Sequence, residues 1–404
     1  MNRYHVALTD LDLYKLSMQN AICTLYPKIK AEYTFNCRDN REFPDGFAEK
    51  LKGIIDRFRG ITLTDDEYDF LREKCYYLNP VYLDFLRGYR YDPSEVFIEQ
   101  IGPRLNLKIR GDWYRTVLWE TVLMATISEL YFEKTHNVKA KDLAENGIYY
   151  SEFGTRLNRQ ATRIKAKDLA ENGIYYSEFG TRRRYSFENQ DMAIQDLKKY
   201  GQGHMLGTSN VYLAMKHNLT PLGTVAHEFF AAHAAMFGYT LANKMANEAW
   251  ITVYQGDLGT ALPDTFTTDV FLQTFSTKYA KLFDGIRQDS GQPLVFLDKV
   301  VNHYKSLRIN PMHKYIMFSD NLKSIEQIVE IHKACEGKIP DRYGIGTWLS
   351  NDVAGAIPLN MVIKLTACFF DGRWIPTVKL SDDPGKNIGD PAEVLLCKQI
   401  LRIA

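Results

Sequence analysis

The sequence has no CxxC pair, no apolar run of membrane-spanning length, and no excess of charge of either sign. Each absence removes a class of function. The six cysteines, Cys23, Cys37, Cys75, Cys335, Cys368 and Cys397, are scattered. With no CxxC among them, they read as reduced thiols. Met361–Phe370 and Phe229–Phe237 are interrupted and far too short to cross a bilayer. The opening MNRYHVALTD lacks the apolar stretch of a secretory signal, so a cytoplasmic location is expected. Fifty basic residues against 49 acidic ones leave a formal charge of +1. No nucleic-acid or membrane partner is expected, and any phosphate site must be built locally. GxxxxGK[ST] and GxGxxG are both missing, which excludes a P-loop and a dinucleotide fingerprint. Ala231 stands where a zinc-binding HExxH would need its second histidine after His227.

What is present is a chain of 404 residues, 45% hydrophobic, long enough for two domains or a barrel with an appended one. Residues 1–135 mix aromatic runs with charge and predict an N-terminal α+β domain, to which the C-terminal chain can return. Within it Phe97–Trp113 alternates and predicts a hairpin turning at Gly102-Pro103, and Trp113–Lys134 has the spacing of a long buried helix. Residues 136–164 predict a helical linker. From 165 to 404, short β-prone runs alternate with amphipathic helical runs, including KYIMFSD before NLKSIEQIVEIHKACEG, then RYGIGTW and NMVIKLTACFF. That alternation predicts a parallel sheet.

KAKDLAENGIYYSEFGTR occurs twice without a single difference, at Lys139–Arg156 and Lys165–Arg182. KAKDLAEN forms helix, Gly173 stops it, IYYSEF is β-prone and GTR is loop. Only the second copy continues into Arg183-Arg184 and a further helix, as the alternation requires. A barrel strand cannot be doubled without disturbing strand number and shear. The second copy is therefore expected to be functional. The first reads as a loop insertion or a sequence error, with a tandem duplication tolerated on the surface as the alternative.

Polar, glycine-rich or ionisable residues cluster wherever a strand is expected to end: Glu178–Arg182, Gly207–Asn210, His227-Glu228, Asp264-Thr265, Arg287–Gly291, Ser319-Asp320 and Gly344–Thr347. A closed barrel uses all its strand ends on one face, whereas an open sheet uses one or two. The expected fold is therefore an irregular, TIM-like α/β barrel. A histidine at a helix N-terminus beside glycines can be a nucleophile toward phosphorus, with N–H groups and arginines stabilising the product. Carboxylates at Asp264, Asp289 and Asp320 suit Mg²⁺ shared with substrate phosphates, or ribose hydroxyls.

The ordered set LTDLDLYKLSM, EFGTRRR, GTSNV, GTVAHE, LPDTF, RQDSG, FSDN, GIGT and VKLSDDPGK resembles the nicotinate phosphoribosyltransferase family over nearly the whole chain. The resemblance implies a type II phosphoribosyltransferase architecture and a homodimer with shared active sites. The implied reaction joins nicotinate to phosphoribosyl pyrophosphate, coupled to ATP hydrolysis through a phosphohistidine and assisted by Mg²⁺, in NAD salvage. By the same resemblance His227 is phosphorylated, and Arg182 meets phosphate or the nicotinate carboxylate. Phe179 and a partner subunit's Tyr14 sandwich the pyridine ring. Thr208 and Ser209 bind base or phosphate, and Asp264, Arg287, Asp289, Ser290 and Asp320 surround ribose and pyrophosphate. Gly344, Gly346 and Thr347 hold the 5′-phosphate. The rivals are a nicotinamide or quinolinate phosphoribosyltransferase and a non-catalytic nucleotide-binding barrel. A Schiff-base aldolase would have only Lys364, in what reads as an ordinary buried strand.

Overall fold

The chain builds two sheets in the computed structural model, which describes the backbone of residues 4–145, 150–383 and 386–403, without the side chains of 137–158. The first sheet is antiparallel and five-stranded, in the order Arg373–Pro376, Met361–Phe370, Lys30–Cys37, Arg104–Asp112, Val96–Ile101. Its strands alternate as half-buried strands should. Ala31, Tyr33 and Phe35 point inward from one strand, and Leu105, Leu107 and Ile109 from another. The hairpin turns at Gly102, whose φ of 56° suits glycine.

Met361–Phe370 departs from expectation. It does not extend the parallel sheet but pairs antiparallel with Lys30–Cys37, from Cys37↔Met361 to Lys30↔Phe369. The C-terminal chain thus returns to the N-terminal sheet. A mostly apolar strand carries little mark of its partner or direction, so the sequence could not choose.

The second sheet is parallel and seven-stranded: Thr220–Pro221, Met205–Thr208, Tyr176–Glu178, Asp341–Ile345, Tyr315–Phe318, Gly285–Gln288, Thr260–Ala261. Among the described residues it curls into a half-barrel with the first and last of these strands as its edges. Helix Trp119–Glu145, preceded by a separate turn at Trp113–Thr116, packs against Met361–Phe370 and against the turn Thr181–Arg183. It brings the N-terminal domain to the strand ends of the half-barrel.

The two copies of the repeat fold differently. In the second, Lys165–Glu171 ends a helix, Gly173 stops it at φ 70°, and Tyr176–Glu178 is a strand between two others. In the first, the same Tyr-Ser-Glu at 150–152 lies inside helix Tyr150–Glu171. Local propensity is a weak prior, and the sheet offers one place for this strand. Phe153 and Arg156 lie outside the residues whose side chains are described.

Candidate active site

Several residues of Glu178–Arg184 have separate tasks. Glu178 is buried and accepts from Thr208 Oγ1 at 2.7 Å, Gly180 N at 2.6 Å and Gln190 Nε2 at 3.1 Å. Burial pushes its carboxyl up to about 7, against the pull of these donors. Gly180 lies so close to Ser350 that a Cβ would stand 2.0 Å from its Oγ. Arg184 is wholly buried and grips Asp10 with both terminal nitrogens, at 2.7 and 3.0 Å. Between these fixed points the strand end turns Phe179 and Arg182 into a cavity of 860 Å³. Asp12 and Glu120 stand 3.9 and 3.8 Å from the Arg182 guanidinium, too far for hydrogen bonds, so its donors face the cavity with the charge balanced nearby.

The next strand end forms the adjoining wall. Gly344 is needed because a Cβ there would stand 2.5 Å from the Phe179 ring. Gly346, Thr347 and Trp348 follow along the cavity. The segment is sewn to its neighbour by Ser350 Oγ to Gly180 O at 2.9 Å and Asn351 Nδ2 to Arg183 O at 2.7 Å.

His227 opens helix His227–Phe237 and borders the same cavity. Its Nε2 is 2.8 Å from Asp264 Oδ1 and 3.4 Å from Asp289 Oδ2. Burial lowers the imidazole, opposed by Asp264, and Nε2 donates to the Asp264 carboxylate. Burial alone would raise Asp264, but His227 and Lys379, the latter 3.4 Å away, hold it well below the usual carboxylate range. Asp264 also accepts from Ser290 Oγ at 2.7 Å. Arg287 pairs with Asp289 at 3.1 Å, and Ser319 Oγ donates to Asp289 at 3.2 Å. Burial, then the charge of Asp289, raises Asp320 to about 6.

Tyr14, Phe179, Arg182, His227, Arg287, Asp289, Ser290, Asp320, Gly344, Gly346 and Thr347 therefore share one cavity. Three of the expected site residues lie outside its lining. Thr208 and Ser209 do not reach it: their hydroxyls are spent on Glu178 and, at 2.5 Å, on Asp12, so they brace the wall from behind. Asp264 is buried and holds the His227 ring through Nε2. The chain's own Tyr14 borders the cavity, its ring 5.9 Å from the Arg182 guanidinium.

Sequence reasoning missed Arg38, Glu120, Lys364, Lys379 and Lys386, all of which line the cavity. Burial, with Lys379 and Arg182 nearby, lowers Lys364 to about 8 although Glu120 opposes the shift. A lysine within the apolar run NMVIKLTACFF was the available signal for Lys364. Beneath the site, fully buried Lys15 bridges Glu120 at 2.6 Å and Glu228, which also accepts from Tyr33 at 2.9 Å.

Against known proteins, residues 9–128 match the nicotinate phosphoribosyltransferase N-terminal domain and 174–404 the nicotinate phosphoribosyltransferase (NAPRTase) family. The first repeat copy lies between these matches. The nicotinate phosphoribosyltransferase of Desulforapulum autotrophicum is 46% identical over 410 residues, covering 98% of each chain. A crystal structure of the enzyme from Porphyromonas gingivalis superposes with a TM-score of 0.92 at 42% identity, over 98% of this chain and 99% of that one. One of a putative nicotinate phosphoribosyltransferase from Saccharomyces cerevisiae gives 0.90 at 32% identity, covering both chains fully.

Proposed function

The chain belongs to the nicotinate phosphoribosyltransferase family, and we propose that it transfers phosphoribose from phosphoribosyl pyrophosphate to nicotinate in NAD salvage, coupled to ATP hydrolysis. One observation carries this reading: Phe179, Arg182 and the His227–Asp264 pair converge on one cavity rimmed with cations. In the reaction the pyridine nitrogen forms a bond to C1′ of the sugar. The C1′–oxygen bond to pyrophosphate breaks, and its electron pair leaves with the pyrophosphate.

Phe179 supplies a flat apolar face for the pyridine ring, and Arg182 a planar donor fork for its carboxylate. Lys364, Lys379 and Arg287 balance pyrophosphate, and the buried carboxylates favour the positive sugar carbon of the transition state. Asp264 takes the Nε2 proton's hydrogen bond, so the His227 lone pair is at Nδ1. Nδ1 is then the atom to which the γ-phosphoryl group of ATP is transferred, adding charge that biases the site toward its productive form.

The carboxylates of Asp289 and Asp320 fit Mg²⁺: both line the cavity, and the charge of Asp289 makes Asp320 costlier to ionise. When bound there, Mg²⁺ would neutralise pyrophosphate oxygens. The reading includes a cytoplasmic homodimer with shared sites; sedimentation of the pure chain decides the assembly.

The test is direct. The purified chain is incubated with nicotinate and phosphoribosyl pyrophosphate, with and without ATP and Mg²⁺, and mononucleotide and pyrophosphate are quantified. Product above background, increased by ATP, is expected. No product under any condition would favour the non-catalytic barrel.

A further inference from the structure

We propose that Lys165 is a positioning residue for this site: its buried ammonium group fixes the Trp348–Asp352 wall of the cavity. The proposal builds on the transferase reading, but its structural half can be tested without substrate.

Lys165 opens the second copy of the repeat, on helix Tyr150–Glu171, away from the strand ends that carry the chemistry. Its side chain is only 10% exposed. A buried ammonium group must find partners or lose its charge. Burial does lower its pKa, and Asp352 opposes that shift. Its partners all belong to one short segment. Nζ donates to the Trp348 carbonyl at 2.8 Å, forms an ion pair with the Asp352 carboxylate, and lies 4.5 Å from the centre of the Trp348 ring.

Both Trp348 and Asp352 line the cavity. On its other side the segment is held by Asn189 Nδ2 to Ser350 O at 2.8 Å and by the bonds of Ser350 and Asn351 already described. Residues 356–360, which follow, also border the cavity. Lys165 therefore clamps both ends of the wall, at Trp348 and at Asp352, while Gly180 and Arg183 hold its middle. A ligand held by Gly346, Thr347 and Trp348 meets a surface whose position depends on a residue it never touches. Losing the clamp reduces binding in ground and transition states alike, which appears in KM before kcat.

The experiment compares full-length Lys165→Met and Lys165→Arg with the parent protein. Steady-state kinetics are measured in each substrate, and hydrogen exchange over 347–360 in the ligand-free protein. Lys165→Met should raise KM for phosphoribosyl pyrophosphate by about tenfold, the worth of one charge-assisted hydrogen bond, with a much smaller change in kcat. Exchange over 347–360 should quicken. Lys165→Arg, which keeps the charge and donors, should recover most of both. Unchanged KM and exchange in Lys165→Met, or equal defects in the two variants, would overturn the proposal.

If Lys165→Met does not fold, Asp352→Asn replaces it. Removing a carboxylate from an anion-binding cavity should by charge alone lower that KM; the clamp requires it to rise, so an unchanged or lower value refutes the clamp. If the parent shows no transferase activity, the exchange comparison decides, with slower or equal exchange in Lys165→Met counting against it.

Discussion

Asp264 Oδ1 lies 2.8 Å from Nε2 of His227, and Ser290 and Lys379 hold the same carboxylate from its other side. The imidazole, which borders the cavity, is thereby oriented through Nε2. Asp264→Asn keeps the shape but loses the charge that fixes tautomer and orientation. The ATP-coupled rate should fall roughly 10²- to 10⁴-fold, as when comparable histidine-orienting carboxylates are neutralised. Rates with and without ATP measure this; a loss under twofold would remove Asp264 from the mechanism.

His227→Ala should abolish ATP coupling and leave the fold intact, as circular dichroism would report. With γ-labelled ATP, the parent should acquire an acid-labile, alkali-stable label that the variant lacks. A variant that still hydrolysed ATP only when nicotinate and phosphoribosyl pyrophosphate were both present would refute the phosphohistidine assignment.

Gly344→Ala should act on the base more than on the sugar. The new methyl group would stand 2.5 Å from the Phe179 ring and must displace it. KM for nicotinate should rise by about tenfold or more, with little change for phosphoribosyl pyrophosphate, since displaced stacking costs on the order of 1 kcal/mol or more. Equal effects on both substrates would mean that Phe179 does not hold the ring.

Asp320, raised to about 6, gives activity and stability opposite pH dependences. Its task needs the ionised form, so kcat/KM for phosphoribosyl pyrophosphate should fall below about pH 6. Stability runs the other way. The folded protein binds this proton more tightly than the unfolded chain does, so the group's contribution is complete below the unfolded value of 3.8 and is lost as pH rises through about 6. Asp320→Asn should flatten the acid limb of the activity profile and weaken that part of the stability profile. An unchanged acid limb would assign it to another group.

Arg182→Ala should cost far more activity than Arg156→Ala, because Arg182 borders the cavity beside Phe179. Matching losses would show that either copy of the repeat can serve the site.

Much of the site was legible because several chain segments carried chemically unusual residues where strands end. Glycines between apolar and polar runs, His227 at a helix start and Asp289 within RQDSG each announced a position. Lys364 did not, since an ionisable residue in an apolar strand looks the same whether it faces packed core or a buried cavity. Thr208 and Ser209 are ambiguous in another way. A hydroxyl at a strand end suits a ligand, and equally suits the buried Glu178 and Asp12 that hold it here.

The sequence by itself determined the alternation of strand and helix, the hairpin at Gly102, the order of the motifs and the family they resemble. These are written in local periodicity and residue type. Only the tertiary structure decided that Met361–Phe370 joins the N-terminal sheet, that the parallel sheet curls into a half-barrel, that Asp264 holds the His227 ring, and that Tyr-Ser-Glu is helix at 150 and strand at 176. Each of those outcomes depends on which distant segment supplies the hydrogen bonds and the countercharge, and no short window of sequence contains its own partner.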